Sequence, residues 1–139
     1  MANNGHVPIP QAAAVPYRMR DDRPEFCLVT SVERGNWIFP KGIIDPGETA
    51  EQTALKEAAE EAGLHGVIEG KPLGQYDYHK WNTRLVVTAM LMRVTAADDE
   101  WEESELRQRC WCGIEKARAK INRGELLQLL DAAVERLRA

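Results

Sequence analysis

Gly42 to Leu64 reads GIIDPGETAEQTALKEAAEEAGL. Before this stretch, apolar residues alternate with period two. Within it they shift to helical spacing. The opening residues, from Lys41-Gly42 to Gly47-Glu48, carry two glycines and a proline and read as a loop. Thr49 is placed as an N-cap, with Gln52 three residues on as its capping-box partner. A helix is predicted from Ala50 to Ala62, because neither proline nor glycine interrupts it. Gly63 then stands at the position that stops a helix with a left-handed residue.

That helix carries Glu57, Glu60 and Glu61 at i, i+3 and i+4, which share one face. Like charges so placed repel by a few tenths of a kcal/mol per pair, on the order of 0.2–0.5. Two arrangements relieve the repulsion. Water solvates the carboxylates as a plain acidic face, or divalent cations bind them and convert repulsion into affinity. Oxygen-only ligands suit Mg²⁺, Mn²⁺ or Ca²⁺ and not Zn²⁺. Lys41 and the Gly-Pro loop beside the helix favour a phosphate-bearing ligand, since a cation and free backbone groups stand next to the carboxylates.

Outward from the helix, strands are predicted on both sides. On the N-terminal side they cover Ala12–Arg18, Glu25–Val32 and Trp37–Phe39, with turns at residues 20–24 and 33–36. Pro16 points to an edge position for the first of them. Residues 1–11 are polar, proline-bearing and expected to be loose. On the C-terminal side, residues 64–78 are strand material broken by Gly66, Gly70, Pro72 and Gly74. Arg84–Val94 and Gln108–Cys112 follow as strands, separated by an acidic loop from Thr95 to Glu105. Two helices close the chain, one over Ile114–Ile121 and one after Asn122 with Glu125 completing a capping box. In the last helix, Leu126, Leu129, Leu130, Ala133, Val134 and Leu137 form an apolar stripe that packs on the body of the protein. The order implies an α/β (α+β) layered fold, a mixed sheet between helices.

The chain has 139 residues, enough for one domain with a core of its own. The net charge of −4 argues against nucleic acid, which needs a basic footprint. Met1 to Pro16 holds no Lys or Arg, so no secretory leader is expected. The longest near-apolar run, Leu85 to Met92, is far short of the roughly 20 residues of a membrane helix. Cys27, Cys110 and Cys112 are odd in number, which favours reduced thiols and a cytoplasmic setting. Cys110 and Cys112 share a strand face, yet no second Cys pair follows to complete a zinc site.

Gly42, five residues, Glu48, seven residues, then Lys56-Glu57-Ala58-Ala59-Glu60-Glu61-Ala62-Gly63-Leu64 resembles the signature of the Nudix hydrolase family. That signature is Gly-x5-Glu-x7-Arg-Glu-U-x-Glu-Glu-x-Gly-U, with U a bulky aliphatic residue. Lys56 stands where the family has Arg, keeping the charge and losing the bidentate fork. Ala58 is a small occupant of an aliphatic position. Phe26 to Gly42 looks like the strand–turn–strand leading into the signature. Trp101 to Ala117 is similar to the tail of the diphosphoinositol polyphosphate and diadenosine polyphosphate phosphohydrolase branch.

The resemblance implies a Nudix α/β/α sandwich, a single domain over residues 1–139, and hydrolysis of a phosphoanhydride in a small phosphorylated substrate. It implies that Glu57, Glu60 and Glu61 bind metal and supply the base, with the Gly42 carbonyl as a further ligand. Glu48 would support them through Lys56. The implied cofactor is Mg²⁺, with Mn²⁺ as the substitute. Glu102 or Glu103 would bring a further carboxylate from the acidic loop, unless that loop is simply solvated.

Substrate phosphates need cations off the helix, and Arg18, Arg20, Lys41, Lys80 and Arg84 are the candidates. Arg18 and Arg20 alternate on a strand and face one side. Trp81 or Tyr76 would stack on a purine unless packed into the sheet. A nucleotide-sensing domain without turnover is the competing class, with Lys56 as its one supporting feature. A nucleotide-pool sanitising hydrolase and an RNA-decapping enzyme are further readings, the last lacking a basic face.

Overall fold

The computed structural model describes residues 7–138. Eight strands and three helices follow in the order β1 Ile9–Arg20, β2 Arg23–Thr30, β3 Trp37–Ile38, β4 Lys41–Ile43, α1 Ala50–Ala62, β5 Leu64–Ile68, β6 Gly74–Lys80, β7 Thr83–Ala97, β8 Arg109–Gly113, α2 Ile114–Lys120 and α3 Gly124–Arg138. The strands form one mixed sheet with the path β3-β2-β1-β7-β5, on which β4 pairs with β1, β6 with β7 and β8 with β2.

The helices sit on opposite faces. On one, Ala54, Ala58 and Ala62 of α1 pack with Ala12, Ala14, Cys27, Val29, Met90 and Met92. On the other, Leu126, Leu130, Ala133 and Val134 of α3 and Ala117 of α2 pack with Ala13, Val15, Phe26, Val87 and Leu91. The expected layering, a mixed sheet between helices, is what forms. Ala58 is fully buried against small sheet residues. A small side chain there lets α1 lie close to the sheet.

Several boundaries differ from the sequence reading. β1 begins at Ile9, so residues 9–11 are ordered strand, while residues 1–6 lie outside the described residues. Nor is β1 an edge strand. It pairs in parallel with β7 from Ile9↔Leu85 to Tyr17↔Arg93, and on its other side with β4 and then β2. Pro16 is tolerated because it falls between them: the Ala14 N–H donates to the Pro40 carbonyl, and β2 pairing begins at Tyr17↔Phe26. A residue in that gap has no partner on that side, so its missing N–H leaves no ladder bond unmade.

The turn expected over residues 20–24 is a two-residue hairpin at Asp21-Asp22, both with positive φ. The region 64–78 resolves into two strands, β5 and β6, set end to end along the long β7. The loop before α1 begins with a short strand, β4. The Asn122–Glu125 capping box does not form; α3 starts at Gly124, and the Glu125 carboxylate accepts from Arg123 Nε at 3.0 Å.

Candidate active site

The start of α1 is built as its sequence requires. Thr49 Oγ1 accepts from the Gln52 N–H, and Gln52 Oε1 accepts from the Thr49 N–H. Glu48 folds back onto the helix. Lys56 Nζ lies 3.0 Å from each of its oxygens, and Thr53 Oγ1 donates to it at 2.9 Å. Lys56 also reaches Asp45 at 3.3 Å. The Lys56 and Thr53 hydrogen bonds hold the Glu48 carboxyl below the usual carboxylate range. A lysine therefore grips both oxygens of Glu48 without a guanidinium fork.

Strand alternation decides what the next residues face. Lys41 pairs with Ala13 and Gly42 with Ala12, so the two neighbours point to opposite faces of the sheet. Gly42 turns toward α1. A Cβ built there would lie 2.3 Å from Cδ of Glu57, so only glycine leaves room for that carboxylate. Lys41 turns the other way, and its Nζ donates to Tyr78 Oη at 2.9 Å.

The three helix glutamates do not share one environment. Glu61 is buried, at 5% exposure, whereas Glu57 and Glu60 are half-buried. Burial pushes the Glu61 carboxyl up to about 8; Arg107 opposes this, and a hydrogen bond with Glu57 adds to it. Burial also raises Glu57, and raises Glu60 with the help of Glu102. Glu61 is too buried to belong to a plainly solvated face. The carboxylates of Glu60, Glu102 and Glu103 bring oxygens within 4.8 Å of one another, a set of hard oxygen donors of the kind that fits Mg²⁺ or Mn²⁺.

Residues 98–109 close over the end of α1. The N–H of Glu103 donates to the Glu60 carbonyl, Trp101 Nε1 to that of Glu61, Arg109 Nη1 to that of Ala62, and the Asp98 N–H to that of Gly63. These are the carbonyls a helix end leaves without partners. Gly63 takes the left-handed conformation, φ 65°, beneath the Trp101 ring. Arg107 joins the parts: Nε to Glu103 at 2.7 Å, Nη1 to the Thr30 carbonyl at 3.0 Å, and Nη2 3.8 Å from Glu61.

Arg107 also lines a cleft of 330 Å³, whose lining includes Lys41, Tyr76, Tyr78, Lys80 and Arg123. A basic cleft thus meets an acidic helix face at one shared guanidinium. A model of the NUDIX domain matches residues 8–130.

The chain belongs to the Nudix family. It is 31% identical over 132 residues to Nudix hydrolase 17, mitochondrial, of Arabidopsis thaliana, covering 88% of this chain and 72% of that one. Against the putative mutator protein MutT4 of Mycobacterium tuberculosis it is 33% identical over 105 residues, 71% of this chain and 41% of that one. The crystal structure of a C. elegans Ap4A hydrolase binary complex superposes with TM-score 0.81 at 28% identity, covering 94% of this chain and 98% of that one. The protein is accordingly a Nudix hydrolase, and the residues that carry the resemblance, Glu48, Lys56, Glu57, Glu60 and Glu61, stand on and just before α1.

The structure sorts the candidate phosphate cations of this Nudix hydrolase. Lys41 and Lys80 line the cleft. Arg18 and Arg20 do not reach it: they lie six and eight residues along β1 from the Gly42 partner, roughly 20 Å or more at the strand rise. Arg18 is instead bonded to Glu25 at 2.9 Å and stacked 3.9 Å from the Trp111 ring. Arg84 pairs with Asp77, and the register His79↔Arg84 beside Tyr78↔Leu85 turns both away from the tyrosines. Tyr76 is half-buried in the cleft, while Trp81 stands 65% exposed at the β6–β7 hairpin. Arg107 and Arg123 were not singled out from sequence. The only available signal was Arg107 four residues after Glu103, an ion-pair spacing, in a segment expected to be loop and strand.

Among the described residues, no helix is long and apolar enough to cross a membrane. All three cysteines are free thiols.

Proposed function

We propose that this Nudix hydrolase is a Mg²⁺-dependent pyrophosphohydrolase of a diadenosine polyphosphate or diphosphoinositol polyphosphate, working in the cytoplasm. The observation that carries the reading is the meeting of the carboxylate face of α1 with the Lys41–Lys80–Arg123 cleft at Arg107. The likeness to the C. elegans Ap4A hydrolase supports the substrate class.

Glu57, Glu60 and Glu61 would hold the metal, with the Gly42 carbonyl beside them and Glu102 and Glu103 closing the set from the loop. Bound Mg²⁺ supplies neutralisation of the phosphate oxygens and a more acidic ligand water. Lys41, Lys80 and Arg123 orient the phosphate chain by charge-assisted hydrogen bonds. Water adds to phosphorus, the bridging P–O bond breaks, and the water's proton passes to Glu57 or Glu61. Two phosphate-ended products leave. Glu48 and Lys56 keep the first turns of α1 in place behind this face. Because Lys56 retains both contacts to Glu48, the feature that favoured a sensing domain loses its force.

The test is product release with Mg²⁺ from diadenosine tetraphosphate and diphosphoinositol pentakisphosphate, comparing wild type with Glu61→Gln. Wild type is expected to turn over at least one of them, and the variant to lose about 10²-fold or more in kcat. Binding of both compounds without turnover of either would replace the enzyme reading with the sensing one.

A further inference from the structure

Cys110 and Cys112 stand two apart on β8, and their sulfurs lie 3.1 Å from each other. Strand alternation puts them on one face. The register Leu28↔Cys110 and Phe26↔Cys112 makes it the face covered by α2 and α3, where both cysteines join the core of Phe26, Leu28 and Ala117. Cys27 pairs with Trp111, so it points through the opposite face into the core under α1. The sheet therefore separates the third thiol from the other two.

A single cysteine in such a core packs as a small apolar side chain. Here each thiol is the hydrogen-bond partner of the other. Residues two apart on a strand have Cα atoms about 6.6 Å apart, and a disulfide spans roughly 4.4–6.8 Å. The backbone already meets that span near its upper limit. About 1 Å of sulfur movement brings the pair to bonding distance. A bond closed at that limit is a labile one.

The thiols differ in access. Cys112 is fully buried; burial, and then its hydrogen bond with Cys110, push its thiol up to about 12. Cys27 is fully buried too, and burial pushes its thiol up to about 12. Cys110 is half-buried, so it is the thiol that a small oxidant meets first.

We propose that Cys110 and Cys112 form a reversible oxidation site, closed to an intrastrand disulfide by a hydroperoxide such as hydrogen peroxide. The Cys110 thiolate attacks one peroxide oxygen and the O–O bond breaks. Hydroxide departs with the proton that the thiol released, and Cys110 is left as a sulfenic acid. The Cys112 sulfur then attacks the Cys110 sulfur. The S–S bond forms, the S–O bond breaks, and the hydroxyl leaves as water with the Cys112 proton. Two electrons pass from the thiols to the peroxide, which ends as two waters. The step uses none of the residues assigned to phosphoanhydride hydrolysis, so it stands or falls apart from that reading.

The full chain would be treated with a small excess of hydrogen peroxide, alkylated after denaturation and analysed by intact and peptide mass spectrometry. The expected product has lost two hydrogens and keeps one of its three thiols, Cys27. Its disulfide lies within the peptide that holds both Cys110 and Cys112, and dithiothreitol restores all three thiols. In Cys112→Ala, Cys110 is expected to stop at the sulfenic acid, trapped by dimedone. In Cys110→Ser, Cys112 is expected to remain a thiol. The wild-type product decides the proposal even if a variant fails to fold. A sulfinic acid at Cys110 beside an unreacted Cys112 overturns it. So does a bond to Cys27, a bond between two chains, or survival of all three thiols.

Discussion

Glu61 is a carboxyl group held in the interior beside a second carboxyl and one guanidinium. Burial raises it to about 8, with Arg107 opposing and Glu57 and Glu103 adding to the rise. The folded state therefore keeps a proton that the unfolded chain releases at lower pH. Between the ordinary carboxylate range and about 8, the native state binds more protons, so stability falls as pH rises and levels off above. Thermal unfolding in a chelator from about pH 5 to about pH 9 is expected to show that decline, and Glu61→Gln to flatten it. An unchanged slope in the variant would place the titration elsewhere. Gly42 is the second residue whose role is steric. Gly42→Ala puts a methyl 2.3 Å from the Glu57 carboxyl carbon, which the flexible side chain escapes only by moving. Unfolding temperature should change little, while activity with Mg²⁺ should fall on the order of 10–100-fold, as when groups around a metal site are displaced. Full activity with an intact fold would show that the position of Glu57 is not critical.

At the scale of elements, α1 and the segment 98–109 act as one unit. Sequence capping rules account for the N-terminal end of the helix, where Thr49 and Gln52 close a local box. At the C-terminal end Gly63 closes a local cap, and the remaining carbonyls depend on residues some 40 positions away. Trp101 supplies both a ring over Gly63 and a hydrogen bond to the Glu61 carbonyl at 2.8 Å. Arg109 stacks on that ring at 4.1 Å while holding the Ala62 carbonyl. Trp101→Ala should cost about 2 kcal/mol in denaturant unfolding, less than a fully buried tryptophan because the ring is half-buried. It should also loosen Glu102 and Glu103 and lower kcat. A stability loss without a kcat effect would mean that the loop carboxylates act independently of the clasp. The short strand β4 shows the same dependence: a Gly-Pro-rich stretch reads as loop, yet Lys41–Ile43 becomes strand because β1 offers it an edge.

At the scale of the whole molecule, Arg107 is where the carboxylate face, the basic cleft and the end of β2 meet. Its side chain is 13% exposed, so removing it leaves the Glu103 carboxylate without its counter-charge and the buried Glu61 without a neighbouring cation. Arg107→Met should destabilise the metal-free protein by about 3 kcal/mol. Saturating Mg²⁺ should recover part of that loss, because a cation bound to the same carboxylates replaces the missing charge. Melting curves with chelator and with Mg²⁺ check this; an equal deficit in both would separate Arg107 from the metal-binding face.

The helix from Ala50 to Ala62, its caps and the i, i+3, i+4 glutamates were legible in the sequence because they are set by contacts a few residues apart. The Nudix resemblance was legible for a related reason, since its fixed residues lie on one continuous segment. Tertiary structure alone decided which of those glutamates is buried, which cations reach the cleft, and where Pro16 sits. Arg18, Arg20 and Arg84 had the right charge and the wrong strand position or face. Arg107 and Arg123 reach the site from the end of the acidic loop and the start of α3, and the spacing of Arg107 after Glu103 was the one local hint of either. Burial, register and counter-charge come from residues brought together across the sheet, and local sequence spacing carries no record of them.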